Sequence, residues 1–357
     1  MFLSGQLLRG LVLVLITAIA LTGVACNGGG GGGGDLKLQG AGATFPNPLY
    51  QKWISEYGKL HTNVKIDYQS IGSGGGIKQL QAQTVDFGAS DAPMIEEEIK
   101  GAAGPVVHIP TVLGAVVLTY NLAEATKPLR FSPDVIADIF LGRITKWNDA
   151  RIKADNPDVN LPAADISTVH RSDGSGTSFV FTDYLSKVSA EWKNKVGANK
   201  SPKWIGGIGA KGNEGVTGQV KQTPNTIGYV ELAYAVQNKL PVALIKNKSG
   251  NFVEPSIDAV TSAAAGTVAQ TPDDLRVSIT DAEGATAYPI SSYTYILVYQ
   301  EQKDATKGKV LVDFLWWGVH DGEAFAKELL YAPLPAEIVK RVEVKINSIT
   351  AGGKPLR

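Results

Sequence analysis

Two periods of apolar residues alternate along this chain. Leu36 and Leu38 stand between polar residues, as do Val64, Ile66 and Tyr68, and this period of two predicts strands. Between them Leu49, Trp53, Tyr57 and Leu60 recur at helical spacing behind Pro46 and Pro48, which predicts a helix opened by proline. Ile77 and Leu80 mark a second helix, and Val85 and Phe87 a third short strand. Two apolar runs flank Pro110 between Val106 and Tyr120 and are long enough to carry the chain from one sheet to another. Ser132-Pro133-Asp134 starts a helix that Val135, Ile136, Ile139 and Phe140 continue. Ile166–His170 reads as a strand, followed by a helix with Phe181, Tyr184, Leu185 and Val188 on one side. Ile227–Val230, Val242–Ile245 and Tyr293–Tyr299 read as strands, and Val310, Leu311, Phe314, Leu315 and Trp317 as the apolar side of a late helix. Ser249–Ala287 is polar and rich in small residues, and its pattern assigns no element. Strands alternating with helices in two groups predict two α/β lobes, with the late strand and helix returning to the first.

The turns between these elements carry the chemistry. Three predicted strands of the first group run into turns that hold Thr44, Ser73 and Asp91, and ligands of open α/β sheets bind at the carboxyl ends of strands. The stretch Arg171–Thr177 (RSDGSGT) is a strand-to-helix turn of the second group. A helix beginning near Ser175 would aim free N–H groups at one point, where its dipole favours an anion, and Arg171 adds a guanidinium fork that matches a tetrahedral oxyanion. Asp173 either holds that arginine or caps the helix. The plainer alternative is a capped helix with a surface salt bridge. Gly207, Gly209 and Gly212 satisfy GxGxxG by spacing, but no clear strand precedes them and no acidic residue follows at the right offset, so a loop is expected there. The tryptophans and tyrosines in these patterns read as core.

Composition narrows the possibilities. The chain has 357 residues, and its 34 Lys and Arg balance 34 Asp and Glu, so no global field draws it to nucleic acid. Cys26 is the single cysteine, which excludes an intramolecular disulfide and a cysteine-based metal site. His61, His108, His170 and His320 are scattered, so no metal and no cofactor is expected. Arg9 precedes an apolar run from Leu11 to Leu21, too short for a membrane span, and Gly23 and Ala25 lead to Cys26. This segment resembles a bacterial lipoprotein signal, although Gly23 stands where such signals usually have leucine. Residues 1–26 are thus expected to be signal and anchor, with Cys26 the lipidated terminus, and the glycine-rich residues 27–34 a flexible tether.

Several stretches resemble the phosphate-binding component of the bacterial high-affinity phosphate ABC importer. They are GAGATFPNPLY (Gly40–Tyr50), QSIGSGGGIKQL (Gln69–Leu80), TVDFGASDAPM (Thr84–Met94) and RSDGSGTSFVFTDYL (Arg171–Leu185), supported by KWND (Lys146–Asp149), AKGNEG (Ala210–Gly215) and TIGYVE (Thr226–Glu231). The similarity covers the mature chain and is densest from Gly40 to Glu231. It implies a type II periplasmic-binding-protein fold whose two lobes close on one phosphate, with residues 35–112 and 288–357 in one lobe and 113–287 in the other. It implies Thr44, Phe45 (through its N–H), Ser73 and Asp91 as ligand residues from the first lobe, and Arg171, Ser175, Gly176 and Thr177 from the second. It also implies a monomer that is lipid-anchored outside the cytoplasmic membrane and delivers phosphate to permease subunits.

The residue chemistry agrees. Hydroxyls and N–H groups suit a buried dianion, and Arg171 partly neutralises it. Asp91 would repel a bare anion and helps only where the ligand brings a proton, which phosphate does near neutral pH and sulfate does not. A binding protein for another oxyanion is one alternative. A secreted phosphatase with Ser73 or Ser175 as nucleophile is another, but neither serine lies in GxSxG and only His170 is near either in sequence.

Overall fold

The computed structural model describes residues 35–357. The expected signal segment, Cys26 and the glycine tether lie outside the described residues. The first group comprises β1 (Leu36–Gly42), α1 (Asn47–Leu60), β2 (Val64–Ser70), α2 (Ser73–Gln81), β3 (Phe87–Ser90) and α3 (Glu96–Lys100). Pro48 opens α1 as the sequence predicts, and Leu49, Tyr50, Trp53 and Tyr57 are buried. Leu60, expected on the same face, is instead exposed in the last turn. β1 lies between β2 and β3 and pairs in parallel with both, so the chain ends of all three strands point the same way.

β4 (Val106–Asn121) is one unbroken strand of 16 residues rather than two runs. The second group follows it: β5 (Arg130–Phe131), α4 (Pro133–Phe140), α5 (Ala150–Asp155), β6 (Ser167–Arg171), α6 (Gly176–Val188), α7 (Ala190–Lys195), β7 (Ile208–Ala210), α8 (Gly212–Gln222), β8 (Thr226–Glu231) and α9 (Leu232–Gln237). The polar stretch without a predicted element holds β10 (Phe252–Val253), which pairs with β9 (Leu244–Lys246), and α10 (Ile257–Ala265). Ser256 caps α10, and its buried face is made largely of alanines, which carry little period in a hydrophobicity pattern. β11 (Ser291–Tyr299), α11 (Ala305–Val319), α12 (Ala324–Glu328) and α13 (Ala336–Asn347) complete the order.

The main sheet runs β2-β1-β3-β11-β4-β8-β6-β7. β4 belongs to both of its halves. Val106–Ala115 pairs with β11, and Val116–Asn121 pairs with β8. The late strand therefore returns to the first group, against β3. Pro110 has no N–H to give, and the β4–β11 register slips beside it: Pro110 faces Tyr295 and Val112 faces Thr294, which leaves Thr111 without an opposite residue. Thr111 turns its hydroxyl inward to the carbonyl of Thr294, at 3.2 Å, and to Tyr50 Oη, at 2.8 Å. A bulge of this kind re-aims the facing side chain, here Thr294.

Candidate functional site

Four helix starts meet where the two groups of strands face each other. Thr44 lies just before α1, Ser73 is the first residue of α2, Ser175 caps α6, and Gly212 begins α8. Each start brings N–H groups and the positive end of a helix dipole to the same place. Gly72 permits the turn into α2 because its φ is +87°, a conformation other residues rarely adopt. Ser175 accepts the Ser178 N–H at 3.0 Å, as an N-cap should.

Contacts join the two groups at these starts. Gly176 N–H donates to Ser73 Oγ at 3.0 Å, and Gly74 N–H donates to the Gly174 carbonyl at 2.8 Å. A Cβ on Gly176 would lie 2.4 Å from Ser73 Oγ and 2.5 Å from Asp91 Oδ2, so only glycine fits between them. Thr44, Ser73, Asp91, Arg171, Ser175 and Thr177 are all nearly inaccessible to solvent. Phe45 is also buried, and its carbonyl accepts from Tyr331 Oη at 2.6 Å.

Arg171 is the charged centre. Its Nε and Nη2 donate to the two oxygens of Asp173 at 2.8 and 2.6 Å, which leaves Nη1 to Thr44 Oγ1 at 3.2 Å and Thr177 Oγ1 at 3.4 Å. Of the two roles open to Asp173, the structure selects the first: it holds the arginine. Burial alone would raise the Asp173 carboxyl, and the hydrogen bonds and charge of Arg171 outweigh it, so it stays below the usual carboxylate range. Asp173 Oδ1 also accepts the Gly212 N–H at 3.1 Å.

Asp91 is the opposite case. Burial pushes its carboxyl up to about 7, against the hydrogen bond from Thr294 and the charge of Arg171. Its Oδ1 accepts from Thr294 Oγ1 at 2.8 Å, while Oδ2 is buried without a partner in the protein. An orphaned acceptor of this sort calls for a donor from a ligand.

Three further residues complete the cluster and were not singled out from the sequence. Thr294 reaches Asp91 from the bulged strand. Asn213, fully buried at the start of α8, donates through Nδ2 to Thr44 Oγ1 at 2.7 Å and Thr177 Oγ1 at 3.1 Å. Tyr229 Oη takes the Arg171 N–H at 3.1 Å and so fixes the end of β6. Asn213 was findable by the rule that selects Thr44, Ser73 and Asp91, since it follows the end of β7. The expectation of a loop at Gly206–Gly215 hid that strand, which has only three residues and a half-buried, glycine-interrupted pattern. The GxGxxG spacing marks a strand and a helix start, whose N–H groups meet Asp173 and Thr44.

Comparison with known proteins places this geometry. The PBP superfamily domain model matches residues 27–317. The phosphate-binding protein PstS of Xylella fastidiosa is 47% identical over 310 residues, covering 86% of this chain and 84% of that protein. The phosphate-binding protein PstS of Pasteurella multocida is 45% identical, covering 89% and 93%. Among solved structures, the phosphate-binding protein of Stenotrophomonas maltophilia superposes with a TM-score of 0.69 at 21% identity, over 86% of this chain and 93% of that one.

Proposed function

Because the chain belongs to the PstS phosphate-binding proteins of the PBP superfamily, we propose that it captures inorganic phosphate outside the cytoplasm and hands it to an ABC importer. The observation that carries this reading is the pairing of a donor-rich cleft with one orphaned acceptor. Thr44, Phe45, Ser73, Arg171, Ser175, Gly176 and Thr177 supply donors, and Asp91 Oδ2 accepts. A tetrahedral anion that still carries a proton satisfies both. The names of the relatives point to the same ligand.

Residues 35–112 and 288–357 form one lobe and 113–287 the other, and the cleft lies between them. Capture rather than turnover fits the contacts of the histidines. His108 Nε2 accepts the Met94 N–H, and His170 Nδ1 faces the Arg171 carbonyl, so neither serves Ser73 or Ser175 as a base. The protein acts as a monomer that docks on permease subunits and is tethered through a lipidated Cys26. Among the described residues no helix is long and apolar enough to cross a membrane. Cys26→Ser is expected to release the protein from the membrane fraction or to block its processing; unchanged partitioning would refute the anchor.

The test of the ligand is a thermal melt against an anion panel. Phosphate is expected to raise the melting temperature with concentration, following RT ln(1 + [L]/Kd), while sulfate at neutral pH leaves it unchanged. Equal stabilisation by both would favour a general oxyanion carrier.

A further inference from the structure

We propose that Asn213 is a positioning residue that fixes the hydrogen-bonding sense of the cleft, making donors of Thr44 and Thr177; this rests on the phosphate-capture reading and deepens it. The argument is a chain of forced assignments. The backbone N–H of Glu231 can only donate, and it meets Asn213 Oδ1 at 3.0 Å. That contact settles which end of the amide is oxygen, so Nδ2 faces the two threonines. Both hydrogens of Nδ2 are then directed at hydroxyl oxygens. Arg171 Nη1 aims at the same two oxygens, and it too can only donate. The Asn213 N–H adds a further donor to Thr44 Oγ1 at 3.2 Å.

A hydroxyl has two acceptor sites and one proton. With the acceptor sites of Thr44 and Thr177 taken by groups that have no other orientation, each hydroxyl has only its proton left to give. That proton must point away from the amide and the guanidinium, toward the ligand. The serines are less constrained: Ser73 Oγ receives the N–H of Asp91 and that of Gly176, for which the ligand competes, and Ser175 Oγ receives that of Ser178. The threonine side of the cleft is therefore wired in advance to donate, with Asp91 Oδ2 as the cleft's acceptor. Such wiring favours an acceptor-rich anion bearing one proton, and it disfavours neutral polyols and amines, which need acceptors that the hydroxyls cannot offer.

Asn213 and Thr177 are tested together in a double-mutant cycle read by titration calorimetry with inorganic phosphate. Wild type must first bind phosphate; if it does not, the capture reading itself falls, before any variant is measured. Given that it binds, Asn213→Ala should weaken phosphate about tenfold or more, the scale of a hydrogen bond to an ionised group. In a Thr177→Val background the same change should cost less than in wild type, because only the Thr44 hydroxyl is left to orient. Equal costs in both backgrounds would mean that Asn213 merely packs, and would overturn the proposal. Asn213→Asp keeps the shape but can only accept, so it should reverse the threonines and weaken binding more than alanine does. Its cost should also shrink when Thr177 is valine, whereas simple charge repulsion would not shrink. If the alanine protein unfolds too early to titrate, the aspartate cycle decides the question alone.

Discussion

A carboxyl that titrates near 7 instead of 3.8 holds its proton in the folded chain where the unfolded chain has released it. Between these values the folded state of Asp91 binds more protons, so stability falls as pH rises from about 4 to about 7. The effect is on the order of 4 kcal/mol at most. Glu231, also pushed up by burial, acts in the same direction. We therefore expect ligand-free Asp91→Asn to melt higher than wild type at pH 8 and to match it near pH 4; parallel curves across that range would contradict the buried ionisation. The same titration governs selectivity. Above pH 7 the carboxylate accepts a hydrogen bond from protonated phosphate and rejects sulfate, and below pH 7 the neutral acid can donate to sulfate. The ratio of phosphate to sulfate affinity should thus fall on acidification in wild type and be low throughout in Asp91→Asn, as competition binding would show. Arg171→Met should weaken phosphate by ~2–5 kcal/mol, the usual cost of truncating one partner of a buried charged contact. Ser73→Ala should cost less, because a hydrogen bond from an uncharged donor to an ion is worth ~1.5–3 kcal/mol; the reverse order in calorimetry would shift the main electrostatic contact away from Arg171. Asp91 was legible as an odd acceptor among donors. Its partner Thr294 was not, because it lies 203 residues away and is aimed by a bulge that depends on Pro110 of a neighbouring strand.

At the level of elements, glycines decide how near the helix starts approach one another. Gly176→Ala places a methyl group against Ser73 Oγ and the Asp91 carboxyl. We expect it to abolish phosphate binding while lowering the melting temperature of the ligand-free protein by only a few degrees, since the lobes can part to make room. Retained binding would show that α6 and α2 meet with more slack than the structure has. The strand-turn-helix units around Thr44, Ser73 and Arg171 were readable because period, turn residues and helix cap agree locally. The equivalent unit at Gly212 was not, because β7 offers three residues of glycine-broken pattern and acquires its identity from pairing with β6. α10 was hidden for a different reason. A face of alanines packs well but gives too little contrast to register as amphipathic.

For the whole molecule, β4 matters most. It is shared by both halves of the sheet, with the change of partner between Ala115 and Val116. The chain also crosses back before β11, where Val116 N–H reaches the Ile290 carbonyl at 2.8 Å. We propose that these two adjacent crossings act as the hinge for lobe closure. Small-angle scattering should give a smaller radius of gyration with saturating phosphate than without, and superimposable curves would argue against closure. The return of the late strand to the first group was legible from the alternation of elements. The place of the hinge was not, because a 16-residue apolar strand looks the same on both sides of the point where its partner changes.

The seam between the Gly74 and Gly174 turns is made of main chain alone. A Cβ on Gly74 would stand 3.1 Å from Gly174 Cα, close enough to act as a wedge, and the atoms nearest to it are main chain rather than side chain. Whatever free energy such a wedge takes from closure is subtracted alike from every ligand, as a common-mode offset that cancels in ratios. Gly74→Ala should therefore weaken phosphate and its isostere arsenate by the same factor in parallel titrations; unequal factors would show that the seam reaches the anion after all. A dial of this kind would let the working concentration of the protein drift to suit its surroundings while its ranking of anions stays fixed.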